Sequence, residues 1–273
     1  MIVKSLDTIS FDTLIVCFLE AFANYYVPMP ADKNYYKQRW QAAKVDYSLS
    51  FGMFDKDKLV GFIIHAVAQR EERHIAFNTG TGVIPSYRGR GIVKRIYDYA
   101  LSILKNRGVT HSVLEVISEN ERAINAYKNV GFRICKNYPC FKGTLEKSIN
   151  EAVSLKKVRY QDFDWAHLPN QQVYSWDNHY TIIKNADYSY YQLLSNAILK
   201  GYVVIKPETG YIAQLDVFDN DAITWNVLLE GISKISREVR MINVDDRLTT
   251  KIEALKLAGL ENYVSQFEMD MEL

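Results

Sequence analysis

The sequence is poor in cysteine, almost empty of excess charge and without any long apolar run. Its three cysteines, Cys17, Cys135 and Cys140, are odd in number and lack metal-ligand spacing. That argues against a metal site and reads as ordinary thiols of a reducing compartment. Basic residues number 33 and acidic ones 32, for a net charge of +1. Such balance argues against a chain whose main task is to neutralise a nucleic-acid backbone, though it leaves room for a small anionic ligand. The most apolar early run, Leu14 to Phe18, is far too short to cross a bilayer and soon meets Glu20. The opening residues lack the basic, apolar, small-residue order of a secretory signal. A soluble cytoplasmic protein with no membrane or nucleic-acid partner is expected.

What is present is enough to build a core. With 273 residues, 48% of them hydrophobic, the chain suits one large domain or two modest ones. Ile2 to Leu6 reads as a strand. Phe11 to Tyr25 and Ala31 to Ala43 read as helices separated by a loop holding Pro28 and Pro30. Three strands follow between Leu49 and Ile84, divided by the turns Asp55-Lys56-Asp57-Lys58 and Arg70-Glu71-Glu72-Arg73, an antiparallel meander. Then come a helix over Arg90 to Asn106, the strand HSVLEVI, a helix over Glu121 to Asn129 stopped by Gly131, and the strand FRICKNYPCF.

This is a mixed α/β domain over residues 1–145, with Glu146 to Ala152 as linker to a second domain over 152–273. The second part repeats the closing order: the strands GYVVI and YIAQLDVF, a helix over Thr224 to Arg237, the strand VRMINV, a helix over Leu248 to Ala258, and the strand NYVSQFEMDM. Ala126/Ala254, Lys128/Lys256 and Gly131/Gly259 keep one constant offset, so an internal repeat is expected. Residues 153 to 200 are aromatic-rich and without clear period.

The residues that carry chemistry begin at Arg88-Gly89-Arg90-Gly91, between the meander and a helix. Two glycines in one turn sacrifice backbone order, and they let a ligand approach the main chain. The following helix opens with unpaired amides and the positive end of its dipole, a seat for phosphate, with Arg88, Arg90 and Lys94 adding charge. A Walker loop is excluded, since no Gly-Lys-Ser/Thr follows, and a dinucleotide fingerprint would need glycine where Lys94 stands. Taken alone, the four residues are equally a solvated turn that starts a helix.

They are not alone. Val83-Ile84-Pro85 precedes them, and Asn120, Ala123, Tyr127, Gly131 and Phe132 follow at fixed spacing. Together these residues resemble the GNAT acetyltransferase family, over roughly residues 1–145. The family signature Gln/Arg-x-x-Gly-x-Gly/Ala is matched by Arg88 to Val93, where Val93 departs from the small last residue. The resemblance implies the GNAT fold, acetyl-CoA as cofactor, and its pyrophosphate on the amides of Arg88, Gly89, Arg90, Gly91, Ile92 and Val93. It implies a pantetheine arm running beside Thr81 to Val83, with a backbone amide there polarising the thioester carbonyl. Asn120 would hold the cofactor by its side chain or cap the helix after it. Tyr127 would give a proton to the departing sulfur; among 19 tyrosines, the competing reading is a core phenol.

No carboxylate stands where many relatives carry a glutamate base, in Phe77-Asn78-Thr79-Gly80-Thr81. Asn78 and Thr79 are therefore expected to position the amine or a water, and the carboxylate of Leu273 is a further candidate. Tyr25, Tyr26, Pro28 and Pro30 would wall the acceptor entrance, with Asp46 and Ser48 at its rim; an aromatic hinge and a surface Asp46 are the competing readings. In the second half, Asp216, Asp219, Asn220 and Asp221 replace the phosphate loop and Leu255 replaces the phenol. That half is expected to be a degenerate repeat that binds no coenzyme A. The overall expectation is a tandem GNAT N-acetyltransferase acting on a small-molecule or peptide amine, its oligomeric state undecided between monomer and homodimer. A non-catalytic acyl-CoA-binding module is the alternative.

Overall fold

The fold is that of a computed structural model, which describes residues 1–146, 155–195 and 198–273. In chain order the first elements are β1 (Ile2–Ser5), α1 (Phe11–Ala21), α2 (Lys33–Ala42), β2 (Phe51–Asp55), β3 (Lys58–Arg70) and β4 (Arg73–Val83). Next come α3 (Ile92–Asn106), β5 (His111–Ile117), α4 (Glu121–Lys128), β6 (Arg133–Thr144), β7 (Leu155–Val158), α5 (Tyr180–Ile183) and β8 (Ser189–Ser195). The chain ends through β9 (Ile198–Lys206), β10 (Tyr211–Val217), α6 (Ala222–Ser233), β11 (Glu238–Met241), α7 (Thr249–Leu257) and β12 (Glu261–Glu272). Elements expected from the sequence are all present within a few residues of their expected bounds. The aromatic stretch that periodicity left unassigned holds β7, β8, the single-turn α5 and three short 3-10 turns. Among the described residues, no helix is long and apolar enough to cross a membrane.

Two compact units are present. One comprises residues 1–135 with 267–273, the other residues 136–266. The division differs from the expected one at 145. Residues 136–144 of β6 belong to the second unit, and residues 267–272 of β12 complete the first. The reason is that β6 and β12 stand at matching places in the repeat, and chain proximity does not decide which one closes which sheet. The expected linker lies, from residue 147 on, outside the described residues.

In the first unit the sheet order is β1-β2-β3-β4-β5, then the end of β12. β1 to β4 pair antiparallel, while β4 and β5 run parallel, as a crossover through α3 requires. Alternating side chains cover both faces. Phe62 of β3 stacks on Phe18 of α1, at 5.6 Å between centroids, whereas a Cβ at the neighbouring Gly61 would touch Ile92 of α3. Gly82 permits the close approach of α1, since a Cβ there would fall 2.8 Å from Ala21. Ile92, Ile96, Tyr97, Ala100 and Leu104 form the buried stripe of α3. On α4, Gly131 sits at φ +124°, and the Gly131 and Phe132 amides donate to Tyr127 O at 3.2 Å, the expected helix stop.

The second unit orders its strands β6-β11-β10-β9-β8-β7. Its aromatic-rich stretch packs Phe163, Trp165, Tyr190 and Tyr202 into a separate small core. The four polar residues at the end of β10 are all engaged by the protein. Asp221 caps α6 by accepting from Thr224 N–H at 2.8 Å, and Asn220 accepts from Trp225 Nε1 at 2.8 Å. Asp219 pairs with Lys200 at 2.7 Å, and buried Asp216 with buried Lys251 at 2.9 Å. Leu255 lies in the apolar core.

One buried titratable group sets the acid limit of the first unit. His65 on β3 is fully buried, donates from Nδ1 to Leu49 O at 2.7 Å, and has no partner for Nε2 among the described residues. Burial drives the imidazole down to about 4, against the upward pull of the Leu49 bond. The unfolded histidine binds its proton at about 6.5, so the folding stability that neutral His65 supports is present above that pH. It will be lost as pH falls from about 6.5 to about 4, by roughly 3 kcal/mol in full. Urea unfolding followed across that interval measures it, and His65→Phe should flatten the profile.

Candidate active site

β4 and β5 begin as neighbours and then part. Their pairs run from Ile75↔His111 to Asn78↔Leu114, although β4 continues to Val83 and β5 to Ile117. At that point β4 carries a bulge. Ile64 faces Gly80 and His65 faces Asn78, which leaves Thr79 as the extra residue. The Asn78 side chain pins this distortion, because its Oδ1 accepts from Gly80 N–H at 3.1 Å. Beyond the bulge, Ile84 N–H donates to Val60 O on β3 at 3.1 Å. By the alternation of a strand, the main-chain groups of Thr81 and Val83 then face the opposite edge, the one β5 has left.

The loop after β4 leads to the head of α3. Gly89 and Gly91 adopt φ +78° and +67°, and Gly91 takes the cap position with no side-chain cap. The helical ladder starts with Arg95 N–H to Gly91 O at 3.1 Å, so the amides of Gly91, Ile92, Val93 and Lys94 precede it. A Cβ on either glycine would meet nothing within 4 Å, and the loop is therefore open on its outer side. The basic side chains serve the loop itself. Arg88 donates from Nε to Val83 O at 3.1 Å and from Nη2 to Ala21 O at 2.8 Å. Arg90 donates to Ser86 O at 3.0 Å and lies over the Tyr87 ring, and Lys94 pairs with Asp98 at 2.7 Å. Ile92 is buried and Val93 half-buried against the core, so these two offer main chain only.

Tyr127 on α4 is buried beside Phe132, at 5.9 Å between rings. Burial pushes its phenol up to about 12, and the nearby polar side chains of Thr81 and Asn78 oppose the rise. Asn78 also donates to Thr81 Oγ1 at 2.6 Å and to the Tyr97 hydroxyl at 2.8 Å. Near the same phenol, burial raises the Tyr25 hydroxyl against the opposing pull of the Asn120 side chain, and Tyr26 donates to Glu119 O at 3.3 Å. Asn120 meanwhile caps α4 by accepting from Ala123 N–H at 3.2 Å. Of the two roles that the sequence left open, this is the helix cap.

The fold thus brings together Tyr25, Tyr26, Asn78, Thr81, Asn120 and Tyr127. Three expected residues stand differently. Asn78 has its donors and acceptor engaged within the protein, which leaves no amide group for a substrate amine. Asp46, half-buried, caps its own turn, accepting from Ser48 N–H at 2.9 Å and Ser48 Oγ at 2.6 Å. Leu273 donates its N–H to Thr110 O at 2.9 Å, at the start of β5. Thr110 lies alongside His74, seven residues back along β4 from Thr81, which places Leu273 roughly 20 Å from the phenol by strand rise. The terminal carboxylate is accordingly withdrawn as a base. Sequence reasoning missed Tyr97 and the bulge. Small polar residues alternating with glycine from Asn78 to Gly82 were the available signal, since glycine inside a strand marks a bulge or a close approach.

Residues 15–132 match the acetyltransferase (GNAT) family model. Over this segment the chain is similar to the GNAT family. Among curated proteins, the chain is 28% identical over 100 residues to N-alpha-acetyltransferase 30 of Schizosaccharomyces pombe, a match covering 36% of this chain and 63% of that protein. It is 40% identical over 53 residues to streptothricin acetyltransferase of Streptomyces lavendulae, covering 19% of this chain and 28% of that one. The chain therefore spans less than two thirds of these relatives. Among solved structures, a GCN5-related N-acetyltransferase from Sphaerobacter thermophilus aligns over 99% of this chain and 95% of its own, with TM-score 0.70 and 12% identity. A tandem GNAT protein from the clavulanic acid biosynthesis pathway aligns over 99% and 98%, with TM-score 0.68 and 14% identity. The whole chain has the fold of a tandem GNAT protein, and in the second unit the helix that follows β10, α6, is capped by Asp221.

Because burial raises Tyr127, its neutral form prevails at every pH below about 12. Spectrophotometric titration of tyrosinate should therefore give the same curve for wild type and Tyr127→Phe between pH 9 and 11. A wild-type excess in that range would show the phenol to be exposed.

Proposed function

We propose that the first unit transfers the acetyl group of acetyl-CoA to a primary amine by direct attack within a ternary complex. The observation that carries this reading is the pairing of an uncapped helix head at Gly91 with the strand edge at Thr81 and Val83 that β5 has left, where Arg88 holds the Val83 carbonyl. One feature suits a diphosphate and the other an amide-bearing arm, and they are consecutive along the chain. The amides of Gly89 to Val93 would hold the diphosphate, with the α3 dipole adding positive potential. Thr81 and Val83 would pair the arm as a strand does, and one of their N–H groups would polarise the reacting carbonyl. Asn120 would secure the far end of that arm.

Acetyl-CoA supplies the thioester. As the amine nitrogen bonds to the acetyl carbon and the carbon–sulfur bond breaks, Tyr127 gives its phenolic proton to sulfur. The nitrogen sheds one proton in becoming an amide, and this restores the phenol through solvent, so the sum is acetyl amide plus free thiol. Tyr25, Tyr26 and the bulge residue Thr79 would receive the amine. Thr79 Oγ1 is buried without a partner among the described residues, and it is the hydroxyl at the bulge still able to accept from an amine. Neither relative's named substrate is assigned to this chain. A small-molecule and a peptide amine both fit an acceptor side walled by aromatic rings.

Calorimetry with acetyl-CoA, followed by thiol release against an amine panel, tests the proposal. Binding with amine-dependent thiol release is expected; binding without it would make the unit an acyl-CoA-binding module. Tyr127→Phe should lower turnover at least tenfold while acetyl-CoA affinity stays within about twofold. Gly91→Ala, strained by its positive φ by about 1 kcal/mol, should fold yet weaken binding about tenfold. Unchanged affinity in Gly91→Ala would overturn the loop assignment.

A further inference from the structure

We infer that Tyr36 and Trp40 of α2 select the acceptor, by hydrogen-bonding a neutral carbonyl oxygen that the amine carries. This deepens the proposed transfer reaction and rests on it. α2 buries two of its side chains, Tyr36 and Trp40, four residues apart and so on one face. Both residues are 0% exposed. Each ends in a polar atom, Tyr36 Oη and Trp40 Nε1, that has no hydrogen-bond partner among the described residues. Buried phenols and indoles usually find partners, and a bond left unmade there costs stability. Phenylalanine would anchor α2 without that cost. Two orphaned donors on successive turns therefore point to a group that the protein itself does not supply.

Their place joins them to the acceptor side. Tyr36 and Trp40 lie against Phe18 of α1, at 4.8 and 5.4 Å between ring centroids, and against each other at 5.7 Å. Phe18 in turn covers the β4 bulge, since a Cβ at Gly80 would fall 3.3 Å from its ring. Ring contacts continue from Phe18 to Phe22 at 4.6 Å, from Phe22 to Tyr25 at 4.9 Å, and from Tyr25 to Tyr26 at 5.7 Å. The wall assigned to the acceptor thus extends unbroken to the two donors. A phenol both gives and takes, but an indole N–H only gives, so the group common to both is an acceptor. Aromatic rings offer no charge to pair a buried carboxylate, and a neutral carbonyl needs none. An amino-acid or peptide amide carries such an oxygen beside its amine, and an alkylamine does not. Both tips are covered in this structure. The connection between α1 and α2, residues 22–32, has no helix or strand, and its displacement is the route by which a substrate reaches them.

Amino-acid amides, the free amino acids and the matching alkylamines form the test panel. Amides should exceed alkylamines at least tenfold in kcat/KM, because a site built to bond an oxygen rejects the analogue without one. Tyr36→Phe should cut that ratio about tenfold. An unchanged ratio would overturn the assignment, as would a preference for free acids over amides. Two readouts need no turnover. Tyr36→Phe removes a hydroxyl that has no protein partner, so Tm should hold within about 2 °C or rise. A larger fall would show that hydroxyl to be bonded within the fold, against the proposal. In 15N-labelled protein with coenzyme A added, the amides should shift the Trp40 indole N–H resonance and the alkylamines should not. Trp40→Phe identifies that signal among the four tryptophans. A resonance that no amide moves overturns the donor pair even if no turnover is found. Wild-type protein lacking turnover, with the indole shifted as expected, would instead sink the transfer reaction and leave the donor pair standing.

Discussion

The constraint on which the first unit depends is the end of pairing between β4 and β5 after Asn78 and Leu114. A parallel pair that loses its ladder exposes main-chain donors and acceptors, and buried groups of that kind demand partners. On the β4 side the gap begins at a bulge, so the strand leaves its neighbour at a fixed residue and does not fray gradually. Thr81 and Val83 lie on the edge of this gap, Arg88 closes the Val83 carbonyl, and the Thr81 side chain is near the Tyr127 phenol. Arg88 has a second consequence. Its bond to Ala21 O ties the last turn of α1, where the acceptor loop starts, to the loop that leads into α3.

The head of α3 is the other half of the same design. A helix start is normally satisfied by its own cap, and α1, α4 and α6 follow that rule with Ser10, Asn120 and Asp221. At α3 the cap is a left-handed glycine without a side chain. An uncapped head on a 15-residue helix forgoes about 1 kcal/mol of capping stability. The buried stripe from Ile92 to Leu104 sustains the helix regardless, and this is how a site can be left open without loss of fold.

The sequence revealed these elements unevenly, for physical reasons. Strand and helix periods in the first 145 residues were legible because each element buries one regular face. Gly91 and Gly131 were legible because positive φ at a helix end admits few other residues. The roles of Arg90 and Lys94 were not, since a basic residue near a phosphate loop looks the same whether it meets a ligand, Ser86 O or Asp98. Asn78 was placed in the right neighbourhood and given the wrong partner. Its side chain serves the bulge, and a bulge arises from register between two strands, which a single strand's sequence does not contain. Residues 155–195 resisted because short 3-10 turns held by aromatic packing carry no period at all.

The two units differ in what stands between a strand end and a helix. In the first, the β4 side chains near the Tyr127 phenol of α4 are the uncharged Thr81 and Asn78. In the second, β10 is tied to α7 by an ion pair, Asp216 to Lys251, with Tyr174 donating to Asp216 at 2.7 Å and lying under the ammonium. A buried pair of charges holds only while both partners remain, and losing one is worth roughly 3 to 5 kcal/mol. Uncharged side chains carry no such penalty, so the two units differ at this place in charge as well as in the glycines before the helix.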